Sequence, residues 1–444
     1  NHKLPPGSLG WPLIGETLEF VREAREEPMR FIRERMKKHD SRVFKTSILG
    51  EPVLVFCGAD GNKLLFTNEN KLVKIWWPTT LRKLLGSSVI NAVGDEAQLM
   101  RRLLLTFLRS DALKCYVERM DMVTQEHITA YWEGKEDVRV YPTIKLYTFE
   151  LACRLFMSMN DPMYVSRLLA LFNVITEGVL AFPINIPLTR FNRSMRAASA
   201  IRKELQLIIR QRRIALESKL VSSTQDLMSH LLVTPDANGK FLTDLEIIDN
   251  ILVLLLAGHD TSSSTSTMLM KYLAELPEVY EKVFREQIDI AKSKKVGEML
   301  QWEDVQKMRY SWNVASEVMR LSPTVLGSFR EAIVDFEYAG YTIPRGWKIF
   351  WNGGSTNKDP SLFPNPDNFD ASRFEGAGPK SYSYVPFGGG PRMCVGLDFA
   401  RLQVLVFLHN MVKRFQWDLL IPDERVGYDP ILVPRKGLPI RLRP

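Results

Sequence analysis

Phe387-Gly-Gly-Gly-Pro-Arg-Met-Cys-Val-Gly396 decides how this chain is read. It frames one cysteine, Cys394, with glycines that let backbone come close to something flat, and sets a fixed charge, Arg392, two residues ahead. A thiolate is a strong ligand for soft metals and for haem iron. Glycine on either side, at Gly388 and Gly396, frees amides to point at the sulfur, and such hydrogen bonds tune the metal. The bland alternative is a glycine-rich turn around an incidental buried cysteine. Five specified positions in ten residues are too many for that.

Around this decamer lies a chain of 444 residues, 45% hydrophobic, which is enough for a large core. No Gly/Ser tract, acidic block or internal repeat marks a linker, so a single domain over 1–444 is expected. The four cysteines (Cys57, Cys115, Cys153, Cys394) are scattered without a CxxC pair, which rejects a disulfide scaffold and a zinc site and fits a reducing compartment. Net charge is 59 − 51 = +8, with basic clusters at Arg33 to Lys38, Arg190 to Arg213 and Lys292 to Lys295. No aromatic-basic interleaving accompanies them, so nucleic acid is not an expected partner. Solvated helix faces explain most of the charge, and an anionic membrane surface or acidic protein suits the rest. The longest apolar run, Ile251 to Ala257, is too short to span a bilayer. A Pro/Gly-rich leader, about residues 4–16, suits a position just after a membrane anchor, which is expected to lie outside this chain.

Helical patterning dominates and strands are few, so the fold class is mainly α with a small β part. Val43 to Leu49 and Pro52 to Phe56 read as two strands around a Gly50-Glu51 turn. Phe336 to Pro344 and Trp347 to Trp351 read as a small hairpin turning at Arg345-Gly346. Met195 to Leu220 is a long amphipathic stretch. The strongest helix begins at Thr243, where Thr243-Asp-Leu-Glu246 forms a capping box, and runs to Leu276 before Pro277.

Within that helix, Ala257-Gly258-His-Asp260-Thr261 interrupts an apolar face with small and polar residues. Gly258 weakens the helix, and hydroxyls can bond back to the preceding turn, so a local groove can open there. An acid beside a hydroxyl in such a groove could deliver protons; tight packing of a Ser/Thr-rich helix is the competing account. Glu317 and Arg320 share one helix face at i, i+3, and with Arg373 they suit a buried structural triad that is costly to break. Three arginines are candidates for anchoring the carboxylates of a haem: Arg392, Arg330 and Arg101, since guanidinium forks match carboxylates.

Taken in order, these motifs resemble the cytochrome P-450 superfamily of haem-thiolate monooxygenases over essentially the whole chain. Pro5-Pro6-Gly7 comes first, then Ala257-Gly258-x-Asp260-Thr261, Glu317-x-x-Arg320, Arg373-Phe374 and Phe387-x-x-Gly390-x-Arg392-x-Cys394-x-Gly396. Leu4 to Glu16, Val43-Phe-Lys-Thr-Ser47, Asn68-Glu-Asn-Lys71 and Tyr341 to Trp347 are similar to the plant branch that oxidises terpenoids and steroids. Amyrin-type triterpenoid C-28 oxidases are the nearest resemblance, then taxane diterpenoid hydroxylases. The resemblance implies a triangular helical prism whose long central helix crosses a haem b. It implies Cys394 as axial ligand of the iron, with Phe387, Gly388, Gly396, Ala257 and Gly258 against the cofactor and Asp260 and Thr261 as the proton relay. It further implies O2 as cosubstrate, electrons from an NADPH-dependent flavoprotein reductase, a monomer, and a place on the cytosolic side of the endoplasmic reticulum membrane. No glycine motif for NADPH itself is present.

Pocket residues implied by the resemblance are apolar, as a large hydrocarbon substrate needs. Trp76, Trp77, Leu81, Leu180, Phe182 and Ile184 come from the first half of the chain. Val253, Leu254, Val325, Leu326 and Ile431 come from the second. Ala181 to Pro187 offers itself equally to a membrane surface. Three departures from the family pattern stand out: Ala97, where relatives carry Trp or His one turn before Arg101; Asn357, where they have His; and Leu188, which replaces a glycine. A reductase-independent hydroperoxide isomerase and a non-catalytic haem carrier are the competing functions.

Overall fold

A computed structural model describes residues 3–12, 14–27, 29–236 and 239–443. It is 54% helical with small sheets, so the mainly α expectation holds. The chain forms two compact units, one from Asn1–Pro78, Ser316–Cys394 and Arg425–Arg435, the other from Thr79–Ala315, Val395–Glu424 and Lys436–Pro444.

The first unit is built on a five-stranded sheet. Its spatial order is Val43–Ile48, Glu51–Phe56, Lys348–Asn352, Gly327–Ala332 and Val73–Ile75. Alternation decides its two faces. Val43, Leu54, Phe56 and Ile349 enter one apolar core, with Phe66 and Trp351. Phe44, Val53, Val55 and Phe350 enter the other, with Phe20 and Phe31. Ile48 pairs with Glu51, so the first hairpin turns at Leu49-Gly50, one residue earlier than expected, with φ of 56° and 80°. A two-residue turn with both φ positive matches the twist of the strands it joins.

The second hairpin corrects the sequence reading more substantially. Phe336–Tyr338 pairs with Tyr341–Ile343, turning at Ala339-Gly340, where φ is 56° and 81°. Trp347 to Trp351 is not its second arm; Lys348–Asn352 pairs instead with Glu51–Phe56 and Gly327–Ala332. Apolar residues flank both Ala339-Gly340 and Arg345-Gly346, so alternation alone could not choose between the two turns.

In the second unit the long helix runs Asp244–Glu275. Thr243 caps it, its hydroxyl accepting the Glu246 N–H while the Glu246 carboxylate accepts the Thr243 N–H. Pro277 opens the next helix at its first position, where no amide donor is needed. The helix Val140–Met157 packs along the long one, and Pro162–Gly178 packs on Arg190–Glu217. Among the described residues, no helix is long and apolar enough to cross a membrane.

Leu188 stands out in the segment between those last two helices. Its φ is 74° and its side chain is 89% exposed. Glycine would hold that conformation without strain, so the departure to leucine costs about 1 kcal/mol.

Candidate active site

The cysteine loop is fixed by its glycines. The Cys394 N–H donates to the Phe387 carbonyl at 2.9 Å and Met393 N–H to the Gly390 carbonyl at 3.1 Å, closing a tight turn. Gly388 and Gly390 have φ of 71° and 64°. Any side chain on Gly390 would sit 2.2 Å from the Phe66 carbonyl oxygen, and one on Gly389 would sit 2.5 Å from the Phe66 ring. The glycines thus seat the loop on the end of the helix Gly58–Thr67. Cys394 emerges exposed, and Phe387 is half-buried.

Two of the three candidate arginines meet in this unit. Arg330 Nε lies 2.7 Å from Glu69 Oε2, and Arg392 Nε lies 3.5 Å from Glu69 Oε1. Burial pulls both guanidinium groups below their ordinary pKa, and the Glu69 charge opposes it. Arg101 belongs to the other unit, half-buried on the helix Gly94–Leu108, one turn after a buried Ala97.

These residues suit a haem. Among the described residues no three His, Cys, Asp or Glu side chains gather to hold a metal ion. A metal bound through Cys394 therefore needs the rest of its ligands from a prosthetic group. The arginine pair supplies the charge that a carboxylate-bearing macrocycle requires.

Glu317, Arg320 and Arg373 come together in the first unit. Glu317 and Arg320 are fully buried. Arg320 Nε and Nη2 each donate to Glu317 at 2.7 Å. Its remaining hydrogens go to the carbonyls of Asn357 (2.6 Å), Pro366 (2.8 Å) and Asn368 (3.2 Å). Glu317 also accepts the Asp370 N–H at 2.9 Å and lies 3.4 Å from Arg373 Nε. Asn357 serves Arg320 through its backbone, so the departure from histidine leaves that bond intact.

In the second unit, the long helix is buried from Ile247 to Leu255 and again beyond Thr261. Surface reappears at Ala257, Gly258 and Thr261, an i, i+1, i+4 stripe. Thr261 Oγ1 donates to the Ala257 carbonyl at 2.6 Å. A methyl on Gly258 would meet Phe399 and Phe156 only at ordinary contact distance, so that glycine is not there to relieve packing. Asp260 is buried and turned toward neighbouring helices. Lys145 Nζ lies 2.7 Å from Oδ1, and Thr176 Oγ1 donates to Oδ2 at 3.0 Å. Burial raises the Asp260 pKa, but the Lys145 charge and the Thr176 hydrogen bond outweigh it and hold the carboxyl below its ordinary value. The Nδ1–H of His259 donates to the Leu255 carbonyl at 2.6 Å, leaving Nε2 3.3 Å from Asp260 Oδ1. Burial keeps that imidazole neutral. Lys145, Thr176 and Glu69 were not among the expected site residues.

Of the expected pocket residues, Trp76 and Trp77 pack edge-on against Phe329, at 5.6 and 6.3 Å. Ile431 is buried, and Val253 and Leu254 are buried on the long helix. Leu81 and Leu326 are half-buried. Leu180, Phe182, Ile184 and Val325 are exposed.

The Cytochrome P450 family model matches residues 5–436. The Beta-amyrin 28-monooxygenase of Solanum lycopersicum is 53% identical over 442 residues, spanning 99% of this chain and 93% of the relative. That of Vitis vinifera is 52% identical, spanning 99% and 92%. The Beta-amyrin 6-beta-monooxygenase of Solanum lycopersicum is 46% identical, spanning 99% and 93%. Among solved structures, retinoic acid bound cyanobacterial CYP120A1 superposes with a TM-score of 0.90 at 32% identity, covering all of both chains. The cytochrome P450DA heme domain has a TM-score of 0.87 at 19% identity, a likeness of fold. With the thiolate loop, the Glu317–Arg320 pair and the acid–alcohol pair present in one chain, a match of this extent makes the protein a member of the cytochrome P450 family, a haem-dependent monooxygenase.

Proposed function

We propose that this chain oxidises a triterpene of the β-amyrin type, at C-28, with the whole of residues 1–444 acting as one catalytic domain. The observation that carries the substrate class is the 52–53% identity, along nearly the full length, to β-amyrin 28-monooxygenases from several plants. Identity to the 6-beta-oxidising relative is lower, 46%.

Bound haem supplies the activation of O2, using electrons passed from NADPH by a flavoprotein reductase. Cys394 would ligate the haem iron through its thiolate, whose negative charge would make the metal electron-rich. Arg330 and Arg392 would hold the cofactor carboxylates, and Arg101 is a further candidate. Asp260, ionised beside Lys145, would take a proton and, on turning from Lys145, deliver it to the Thr261 hydroxyl as that hydroxyl gives its own proton to the reacting oxygen at the exposed stripe of the helix. Trp76 and Trp77 are apolar surface suited to a hydrocarbon substrate and so, independently, are Val253 and Leu254 on the long helix. The exposed segment of Leu180, Phe182, Ile184, Ile186 and Leu188 covers the substrate entrance and rests on a membrane surface, which suits an endoplasmic reticulum location.

The test is reconstitution with a reductase and NADPH on a panel of triterpene and diterpene scaffolds, read by mass spectrometry. β-Amyrin should gain oxygen at C-28. Conversion of diterpenes alone would overturn the substrate class. Turnover of an organic hydroperoxide with no reductase would overturn the monooxygenase reading. Cys394→Ser should abolish the thiolate Soret signature of the reduced carbonyl complex.

A further inference from the structure

Glu69 is a carboxylate 1% exposed at its side chain, and the catalytic scheme does not use it. It follows the helix Gly58–Thr67 at a turn where Asn70 takes a φ of 63° and its N–H donates to the Val73 carbonyl at 2.6 Å. Asparagine tolerates that left-handed conformation, so the chain can reverse there. The reversal lays Glu69 along the strand Val73–Ile75, and its Oε1 accepts the Ile75 N–H at 2.9 Å. Ile75 is paired in register with Arg330. Strand register thus delivers the Arg330 fork to Oε2 at 2.7 Å.

Arg392 reaches the same carboxylate from the cysteine loop, 3.5 Å from Oε1. That loop is seated through Gly389 and Gly390 on Phe66, three residues before Glu69. One buried carboxylate therefore serves two guanidinium groups from separate segments, and the three-residue cluster keeps a net charge of +1.

We propose that Glu69 is the positioning residue of the haem-carboxylate anchor. It holds the Arg330 and Arg392 forks assembled and sets the charge they present at +1 rather than +2. This role rests on Arg330 and Arg392 being the carboxylate partners.

The test uses the haem-loaded full chain. Glu69→Gln keeps the side-chain shape and an acceptor for the Ile75 N–H while removing the charge. Haem transfer to excess apomyoglobin should quicken about tenfold, the effect of losing a charge-assisted bond. The ferric/ferrous potential should rise, because a buried negative charge near the metal has gone. Glu69→Asp, which keeps the charge, should return the potential toward wild type, and it carries the test if the glutamine variant does not fold. Slower haem loss in Glu69→Gln would mean that Glu69 competes with the haem carboxylates, and would overturn the proposal. Faster haem loss at an unchanged potential would reduce Glu69 to a support of the fold, and would also overturn it. Arg330→Leu and Arg392→Leu test the premise. Unchanged haem loss in both removes the arginines as partners. Faster loss in both, beside a Glu69→Gln protein that matches wild type, refutes the role of Glu69 alone.

Discussion

At Arg320 all five guanidinium hydrogens find acceptors, one carboxylate and three loop carbonyls. At Asp260 a carboxylate is held by a lysine and a threonine from two other helices, and its surroundings are unfinished. His259 Nε2 and Ser262 Oγ are buried without a hydrogen-bond partner. His259 offers Asp260 a lone pair rather than a proton. Both clusters bury opposite charges; at Arg320 every guanidinium donor is used, and the buried atom without a hydrogen-bond partner there is Arg373 Nε at the edge, 3.4 Å from Glu317. A closed network has one low-energy arrangement and resists change. An open one has room for a proton or a water to enter, and that is the condition a relay needs. The difference is the one expected between a cluster proposed to hold the fold and one proposed to serve the chemistry.

The hardest blow to this distinction falls at Glu317. Glu317→Gln leaves Arg320 charged and buried with half its strong partners gone, so stability should fall by about 3–5 kcal/mol. Denaturant unfolding of the haem-loaded protein measures it. Asp260→Asn combined with Thr261→Ala should instead lower product formation about 100-fold while NADPH oxidation continues, with unfolding shifted much less. If the Asp260 variant unfolds as readily as the Glu317 variant, the two clusters are alike and the distinction fails.

Lys145→Met sharpens the comparison through pH. In the wild type the Asp260 carboxyl lies below its ordinary pKa, so its stabilising contribution is full above that ordinary value and fades as pH falls through the folded one. Without Lys145, the burial that raises its pKa loses a main opponent, and the carboxyl rises. Aspartate burial then destabilises the variant at neutral pH, and protonation relieves it. The stability gap between the two proteins should narrow as the medium is made acidic, and the acidic limb of turnover should move to higher pH. A gap that is constant with pH would mean that Lys145 does not control the Asp260 charge.

Much of this was legible in the sequence, for reasons that can be named. The cysteine loop, the Thr243 capping box and the Glu317–Arg320 pair are each written within a few residues, because their partners are close along the chain. Arg373 was legible as a partner of that pair. Lys145, Thr176 and Glu69 were not found, since helix packing and strand register choose their partners, and no local pattern records that choice. Only the Asn68-Glu-Asn-Lys71 motif marked the place of Glu69. The misplaced second hairpin has the same origin: alternation runs on through Trp347 to Trp351, and sheet pairing decides where those residues go.

The smallest expected effect is at Thr176. Thr176→Val keeps the volume and removes the hydroxyl whose single hydrogen is shared between Asp260 Oδ2 at 3.0 Å and the Phe172 carbonyl at 3.1 Å. Stability should drop by about 1 kcal/mol, because Lys145 still holds the other oxygen. Thr176 lies in the last turn of Pro162–Gly178, directly before the exposed Leu180 to Leu188 segment, so its bond ties the acid to the element proposed to cover the substrate. If Lys145 is the main restraint, product formation per NADPH consumed falls only severalfold and the pH profile stays in place. A loss as deep as that of Asp260→Asn, measured by the same product-to-NADPH ratio, would make Thr176 the principal restraint on Asp260. Motion of the covering segment and readiness of the proton relay would then depend on a single hydroxyl.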